Sequence, residues 1–204
     1  MPRDKTENHE KIINAALTEF LEYGFKDASM RRIAEASGMS ASGLYKHFPS
    51  KEDMFAALVE PTVQGFMELY SSLEDDYFED IHAESKDEVL SGKSESVRIM
   101  EYIYEHIDEF RLLICKSQGT RYESFTHDMA MLEEKETLKY MKALKKAGFP
   151  VKDIKKKEFH LLATASVDAM FQAVIHDFSK KEALHYAKTL EEFYEPAWKQ
   201  LFGL

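Results

Sequence analysis

The sequence predicts an all-α chain, and three observations carry that expectation. Of 204 residues, 44% are hydrophobic and 31% charged, while only 8 are Gly and 5 Pro, a composition that suits packed helices and argues against a turn-rich β chain. Apolar residues recur at three-and-four spacing along most of the length. Glycines and prolines fall between these stripes rather than inside short alternating runs.

Element by element, Ile13, Ala16, Leu17, Phe20 and Leu21 mark one helical face, and Gly24 supplies a left-handed stop with Phe25 placed to fold back on the last turn. Ser29 can cap a short second helix from Met30 to about Ser37, with Ile33 and Ala34 inward and Gly38 at its end. Ser40 caps a third helix of under two turns that turns Leu44 and Phe48 inward before Pro49 stops it. Two short helices flanking a glycine turn form a helix-turn-helix pattern. Ser50-Lys-Glu-Asp53 opens a fourth helix with a reciprocal Ser50/Asp53 cap, and Pro61 should kink it.

Net charge is -10, which by itself argues against binding phosphates, but the acid is unevenly spread. Residues 1–55 hold eight Lys/Arg and nine Asp/Glu, so nearly all the excess acid lies downstream. From Lys26 to Lys51, five cations face two carboxylates and leave a local basic patch. With Leu44 inward, Ser42, Gly43, Tyr45, Lys46 and His47 lie on the sides and outer face of the third helix. Gly43 there permits close approach to a duplex, the Tyr45 hydroxyl can reach a phosphate oxygen, and Lys46 and His47 can flank the backbone. Arg31, in the first turn of the second helix, is a bidentate donor placed to reach a guanine edge. Lys51 opposes the dipole of the helix it opens, which a docked phosphate would explain.

The segments Ile13-Asn-Ala-Ala-Leu-Thr-Glu-Phe20, Tyr23-Gly-Phe25, Ser29-Met-Arg-Arg-Ile-Ala-Glu-Ala-Ser-Gly-Met-Ser40 and Gly43-Leu-Tyr-Lys-His-Phe-Pro-Ser-Lys51 together resemble the DNA-binding domain of TetR-family transcriptional regulators. The likeness spans about a quarter of the chain. It implies a homodimeric regulator, mostly of the repressing kind, with a DNA-binding domain at 1–55 and a larger helical effector-binding and dimerisation domain at 56–204. DNA contacts would fall on Ser29, Arg31, Ser40, Ser42, Gly43, Tyr45, Lys46, His47 and Lys51. Met30 and Ser29 stand where a Thr-Thr pair is common in the family, Ala41 where a lysine is frequent and Arg32 where an acid is usual. The last two changes move the patch toward the second helix.

Downstream, Val97, Met100, Ile103, Ile107, Phe110 and Ile114 form one stripe and Tyr122, Phe125, Met129 and Leu132 another, separated by Gly119. After Gly148-Phe-Pro150, a broad face from Phe159 to Val174 precedes a last helix from Ala183 to Leu201 that Pro196 could bend. By resemblance, these last two helices pair with their copies in a homodimer, and two half-sites one DNA turn apart imply a palindromic operator. By the same resemblance, a small-molecule effector pocket is expected around Tyr102, Phe110, Cys115, Tyr122, Phe125, Met129, Asp168, Phe171 and His176. Asp168, inside the apolar stretch Leu161–Ile175, must reach water, pair or stay protonated, and could anchor a cationic ligand.

No cofactor or metal is expected. Glu79-x-x-His82 and Glu182-x-x-His185 would suit a helical carboxylate-metal enzyme, but with 25 Glu in the chain chance alone accounts for them. Cys115, the sole cysteine, reads as a buried small hydrophobe and permits no internal disulfide. A helical scaffold with no DNA role leaves Tyr45, Lys46, His47 and Lys51 unexplained. The N-terminus offers no signal-peptide stretch and Leu161–Ile175 is too short to span a bilayer, so a cytoplasmic protein without membrane contact is expected.

Overall fold

A computed structural model of the chain describes residues 5–80 and 94–204. These form nine α-helices and one turn of π-helix, with no strand among them. The helices are α1 (Lys5–Asp27), α2 (Met30–Ala36), α3 (Ala41–His47), α4 (Lys51–Asp80), α5 (Glu95–Glu105), α6 (Ile107–Arg111), α7 (Phe125–Lys146), α8 (Lys156–Ile175) and α9 (Lys180–Phe202), and the π turn is Leu112–Lys116.

The described chain packs as two units. The first comprises the chain up to Gly65 together with His106–Ser124, and the second comprises Phe66–Glu105 and Phe125–Leu204. α4 contributes to both units, and His106–Ser124, from the middle of the chain, belongs with the N-terminal helices.

In the first unit, Ile12, Ala16 and Phe20 are buried on α1, while Ile13, Leu17 and Leu21 of the expected stripe are half-buried. The face is rotated so that Glu19 is also buried. Gly24 breaks the helix with φ 72 and ψ 167, a conformation essentially confined to glycine. The reversal brings Phe25 to 6.1 Å from Phe20 and 5.5 Å from Phe55 of α4, ring centre to ring centre, while Phe20 meets Phe55 edge-on at 5.2 Å. Met30, Ile33 and Ala34 of α2 and Leu44 of α3 are buried, Ile33 and Leu44 fully. The added segment follows the same surface. Tyr122 lies 6.1 Å from Phe55, the Arg121 backbone N–H donates to Glu52 Oε1 at 3.0 Å, and the Arg121 side chain reaches Glu60 Oε2 at 3.1 Å.

The stripe from Val97 to Ile114 is not one helix. It stops at His106, restarts as α6 and widens into the π turn, so Phe110 and the residues beyond it belong to the first unit. Cys115 lies on that turn and is exposed, contrary to the buried position expected from its apolar neighbours. Pro61 does not break α4; the carbonyl four residues back, on Ala57, is at an exposed position where water can replace the lost partner.

In the second unit, Tyr140, Met141 and Leu144 of α7 pack with Phe159 and Ala163 of α8 and Phe202 of α9. The Tyr104 hydroxyl ties α5 to the end of α8 by donating to the carbonyls of Ala173 and Phe178 at 3.1 and 2.9 Å. Gly203 closes α9 in a left-handed conformation, and a Cβ there would come within 2.7 Å of the Pro150 backbone. Glu182 forms a capping box with Ser179, which gives it a structural role inside Glu182-x-x-His185. His82 lies outside the described residues.

Candidate functional site

The helix-turn-helix is built by caps. Ser40 Oγ accepts the Gly43 N–H at 3.1 Å and starts α3, while Ser29 Oγ accepts the Arg32 N–H at 3.4 Å and starts α2. Between the helices Gly38 has φ 70, and the Met39 N–H returns to the Ala34 carbonyl at 2.8 Å. The turn is thereby held from both sides.

With Leu44 and Phe48 buried, the other side of α3 is open: Ser42, Tyr45, Lys46 and His47 are exposed, Tyr45 at 49%. Arg31 is exposed on α2. Gly43 has a reason to be glycine within the protein itself, because a Cβ would lie 3.2 Å from the capping Ser40 Oγ and 3.4 Å from Met39 Cε.

Two cations of the expected patch are engaged internally. Arg32 Nε donates to Glu19 Oε1 at 2.8 Å, Nη2 donates to the Asp27 carbonyl at 2.9 Å, and the guanidinium lies 4.3 Å from the centre of the Tyr23 ring. The bond to Glu19 holds the Arg32 pKa above its ordinary value. The Arg32 charge is thus matched by Glu19, which lies outside the Lys26–Lys51 count. Lys51 Nζ donates to the carbonyls of Lys26 and Ala28 at 3.1 and 3.0 Å and lies 4.7 Å from the centre of the Phe25 ring. This explains a lysine in the first turn of α4 through the carbonyls around the α1–α2 connection. Ser50 and Asp53 make the expected reciprocal cap, at 2.7 and 3.0 Å.

A cavity of about 310 Å³ lies inside the second unit. Its walls include the rings of Phe66, Tyr70, Phe171, Tyr194 and Trp198. Six carboxylates also line it, from Glu74, Glu95, Glu133, Glu136, Glu191 and Glu195, against one lining cation, Arg98. Glu133 accepts the Tyr70 hydroxyl at 2.6 Å and the Thr137 hydroxyl at 2.9 Å, and burial, followed by the Glu133 charge, pushes the Tyr70 phenol well above its usual range. Although burial pushes Glu136 upward, Lys135 and Lys139 hold its pKa below the ordinary carboxylate value. Burial, then Glu136 and Glu133, push Glu74 up to about 7.

Of the nine residues expected around a ligand, Met129 and Phe171 line this cavity. Phe125 and Tyr102 stand behind its wall, Phe125 at 5.9 Å from Phe171 and Tyr102 at 5.9 Å from Phe66, between ring centres. Phe110, Cys115 and Tyr122 are elsewhere, in the first unit, because the stripe breaks at His106. Asp168 is exposed on α8 and His176 is exposed at its C-cap, both directed to water by the rotation of that helix. Sequence reasoning missed Glu74, Tyr70 and Trp198. Their helical spacing is that of ordinary packing residues, and nothing in sequence brings α4, α7 and α9 around one space.

A buried scaffold that holds a seven-residue helix with its polar side outward, next to a second helix across a glycine turn, defines a helix-turn-helix DNA-binding protein. Residues 12–58 match the family model described as bacterial regulatory proteins, tetR family. An HTH-type transcriptional regulator of Staphylococcus aureus (strain USA300) is 26% identical over 147 residues, covering 64% of this chain and 80% of that protein. The fold is similar to that of a TetR-like transcriptional regulator from Rhodococcus sp. RHA1, with a TM-score of 0.57, 20% identity and 97% of each chain covered. It is also similar to a TetR-family regulator from Chloroflexus aurantiacus J-10-FL, with a TM-score of 0.58, 12% identity and 98% of this chain and 90% of that one covered. Residues 12–58 thus match a TetR-type DNA-binding domain, and the chain shares the fold of TetR-like transcriptional regulators. No helix among the described residues is long and apolar enough to cross a membrane.

Proposed function

We propose that the protein is a homodimeric repressor that binds a palindromic operator and is released by a small-molecule effector held in the second-unit cavity. The observation that carries the DNA-binding geometry is the open face of α3. Tyr45, Lys46 and His47 are exposed while Leu44 and Phe48 hold the helix from behind, and Arg31 is exposed on α2. In this reading α3 lies in the major groove, Arg31 reads a base edge, and Ser29, Ser40, Ser42, Gly43, Tyr45, Lys46, His47 and Lys51 approach the backbone or bases. The Lys51 ammonium then acts first by fixing the α1–α2 connection and only secondarily as positive charge near phosphate.

Dimerisation is supported by apolar side chains left uncovered on α8 and α9. Leu161 and Phe193 are 68% and 73% exposed, and Leu162 and Ile175 are exposed as well. A symmetric dimer repeats one short recognition helix at two half-sites, which turns a weak contact into a specific one. Effector control is supported by the cavity, whose size falls at the lower end of the roughly 300–1,000 Å³ of small-molecule sites. The chain passes between its two units within α4, at His106 and at Phe125, so the units are covalently joined at three points.

Selection of bound duplexes from a random pool tests the reading. Enrichment of an inverted repeat with half-site centres about one DNA turn apart is the expected result. Enrichment of a single unrepeated site, or of none, overturns it.

A further inference from the structure

We propose that the second-unit cavity takes an organic cation: an ammonium-type small molecule with an aromatic or branched apolar body, anchored by the carboxylate of Glu74. The inference deepens the effector reading above and rests on it only for the consequence at DNA.

Most of the wall carboxylates already have partners. Glu133 is satisfied by the Tyr70 and Thr137 hydroxyls, Glu136 by Lys135 and Lys139, and Glu195 by Lys199 at 2.6 Å. Glu191 accepts the Ser94 hydroxyl. Glu74 is different: its Oε1 is buried and accepts no hydrogen bond among the described residues. A buried carboxylate oxygen without a donor is costly, and it is relieved by holding a proton or by meeting a cation.

The choice among ligand classes follows. A neutral occupant displaces water and leaves the Glu74 oxygen unsatisfied. An anion meets Arg98 but also the carboxylates that outnumber it on the walls. A metal ion needs several converging ligands, and no group of three or more His, Cys, Asp or Glu suited to one occurs among the described residues. An organic cation satisfies Glu74 and also meets walls that carry the rings of Tyr194, Trp198 and Phe66, aromatic side chains whose π systems attract positive charge. The raised Glu74 pKa fits this account, since an incoming cation would drive off the proton that the empty site favours.

Three probes of nearly one shape separate the classes: benzyltrimethylammonium, its neutral carbon analogue neopentylbenzene, and the anion phenylmethanesulfonate. Trp198 is the only tryptophan in the chain and lines the cavity, so its emission reports occupancy in the full-length protein, with equilibrium dialysis measuring affinity. The cation is expected to bind about tenfold or more tighter than either analogue. Glu74→Gln should remove about tenfold of that affinity while leaving the neutral probe within about twofold.

Lowering the pH from 8 to 6 should weaken cation binding to the wild type as Glu74 takes up its proton, and should weaken it less in Glu74→Gln. The other titratable groups facing Glu74 are Tyr70 on α4, Glu95 and Arg98 on α5, and Glu133, Lys135, Glu136 and Lys139 on α7. Tyr140 on α7 also lines the cavity, and on α9 the groups are Glu191, Tyr194 and Glu195. The variant therefore isolates the Glu74 contribution.

Equal or tighter binding of the neutral or anionic probe overturns the proposal, as does no binding of any probe, or full cation affinity in Glu74→Gln. The wild-type comparison needs no variant, so a Glu74→Gln protein that fails to fold leaves the test intact. All of these measurements are made without DNA, so their failure and a failure of operator binding are separately visible.

Discussion

Arg32 and Glu19 form the fastening between α1 and α2: the guanidinium Nε donates to Glu19 Oε1 at 2.8 Å, and the same oxygen accepts the Ser29 backbone N–H at 2.7 Å. One buried carboxylate thus orients an arginine and holds the cap residue of the next helix. Removing it leaves the Ser29 N–H without its acceptor, so Glu19→Ala should cost about 1–3 kcal/mol of stability in chemical denaturation. Arg32→Ala should cost less, because the Ser29 bond survives. A Glu19→Ala protein as stable as the wild type would show that the pair positions nothing.

The adjacent arginines should separate in DNA binding. Arg31→Ala is expected to weaken binding to the selected operator by about 1–3 kcal/mol and to relax base preference, whereas Arg32→Ala should change affinity little. Tyr45→Phe and Lys46→Ala should weaken selected and random duplexes alike, with a shallower salt dependence for the lysine variant. Fluorescence anisotropy at several salt concentrations measures all four, and identical behaviour of Arg31→Ala and Lys46→Ala would make Arg31 a phosphate contact.

Lys51 offers a test of structure against charge. Lys51→Met keeps the stem over the Phe25 ring but loses both carbonyl bonds, and should lower stability by about 1 kcal/mol at this half-buried position. DNA affinity should fall with it. A variant that loses affinity without any shift in its melting curve would place the ammonium on phosphate alone.

Glu74 makes stability depend on pH in an unusual direction for a carboxylate. Its folded value of about 7 lies above the ordinary 4.5, so the native state holds a proton that the unfolded chain releases between those values. Stability from this group is therefore full below the lower value and lost as pH rises through the upper one. Relative to wild type, Glu74→Gln should gain about 1 kcal/mol at pH 8, allowing for solvent screening, which is roughly 2–4 °C in Tm, and gain less at pH 5. Calorimetry at the two pH values checks the sign; a larger gain at pH 5 would contradict it.

The uncovered ring of Phe193 should matter to assembly. Phe193→Asp is expected to shift the protein from dimer to monomer in sedimentation experiments, and operator affinity should drop with it. The α1–α3 fold should be unaffected, since Phe193 belongs to the other unit. A dimer that persists would move the interface off this face of α9.

Most of the helices, their caps and the helix-turn-helix could be read from sequence because their determinants are local. Ser29, Ser40 and Ser50 bond to backbone three residues on, and Gly24 stops α1 through its own dihedral angles. The outward face of α3 followed from the same period once Leu44 was set inward. The partners of Lys51 and Arg32 could not be read this way. Their acceptors lie 23 and 13 residues away and are chosen by how helices meet.

What the sequence by itself determined, then, is which segments are helical, where they are capped and which family the first quarter resembles, because turns and caps depend on neighbours within four residues. Tertiary structure alone decided that His106–Ser124 packs with the N-terminal helices, that Asp168 faces water, and that Glu74 is left with a buried, unmatched oxygen. Those outcomes depend on which helices converge on one space, and helical periodicity states that a face is apolar without stating what it meets.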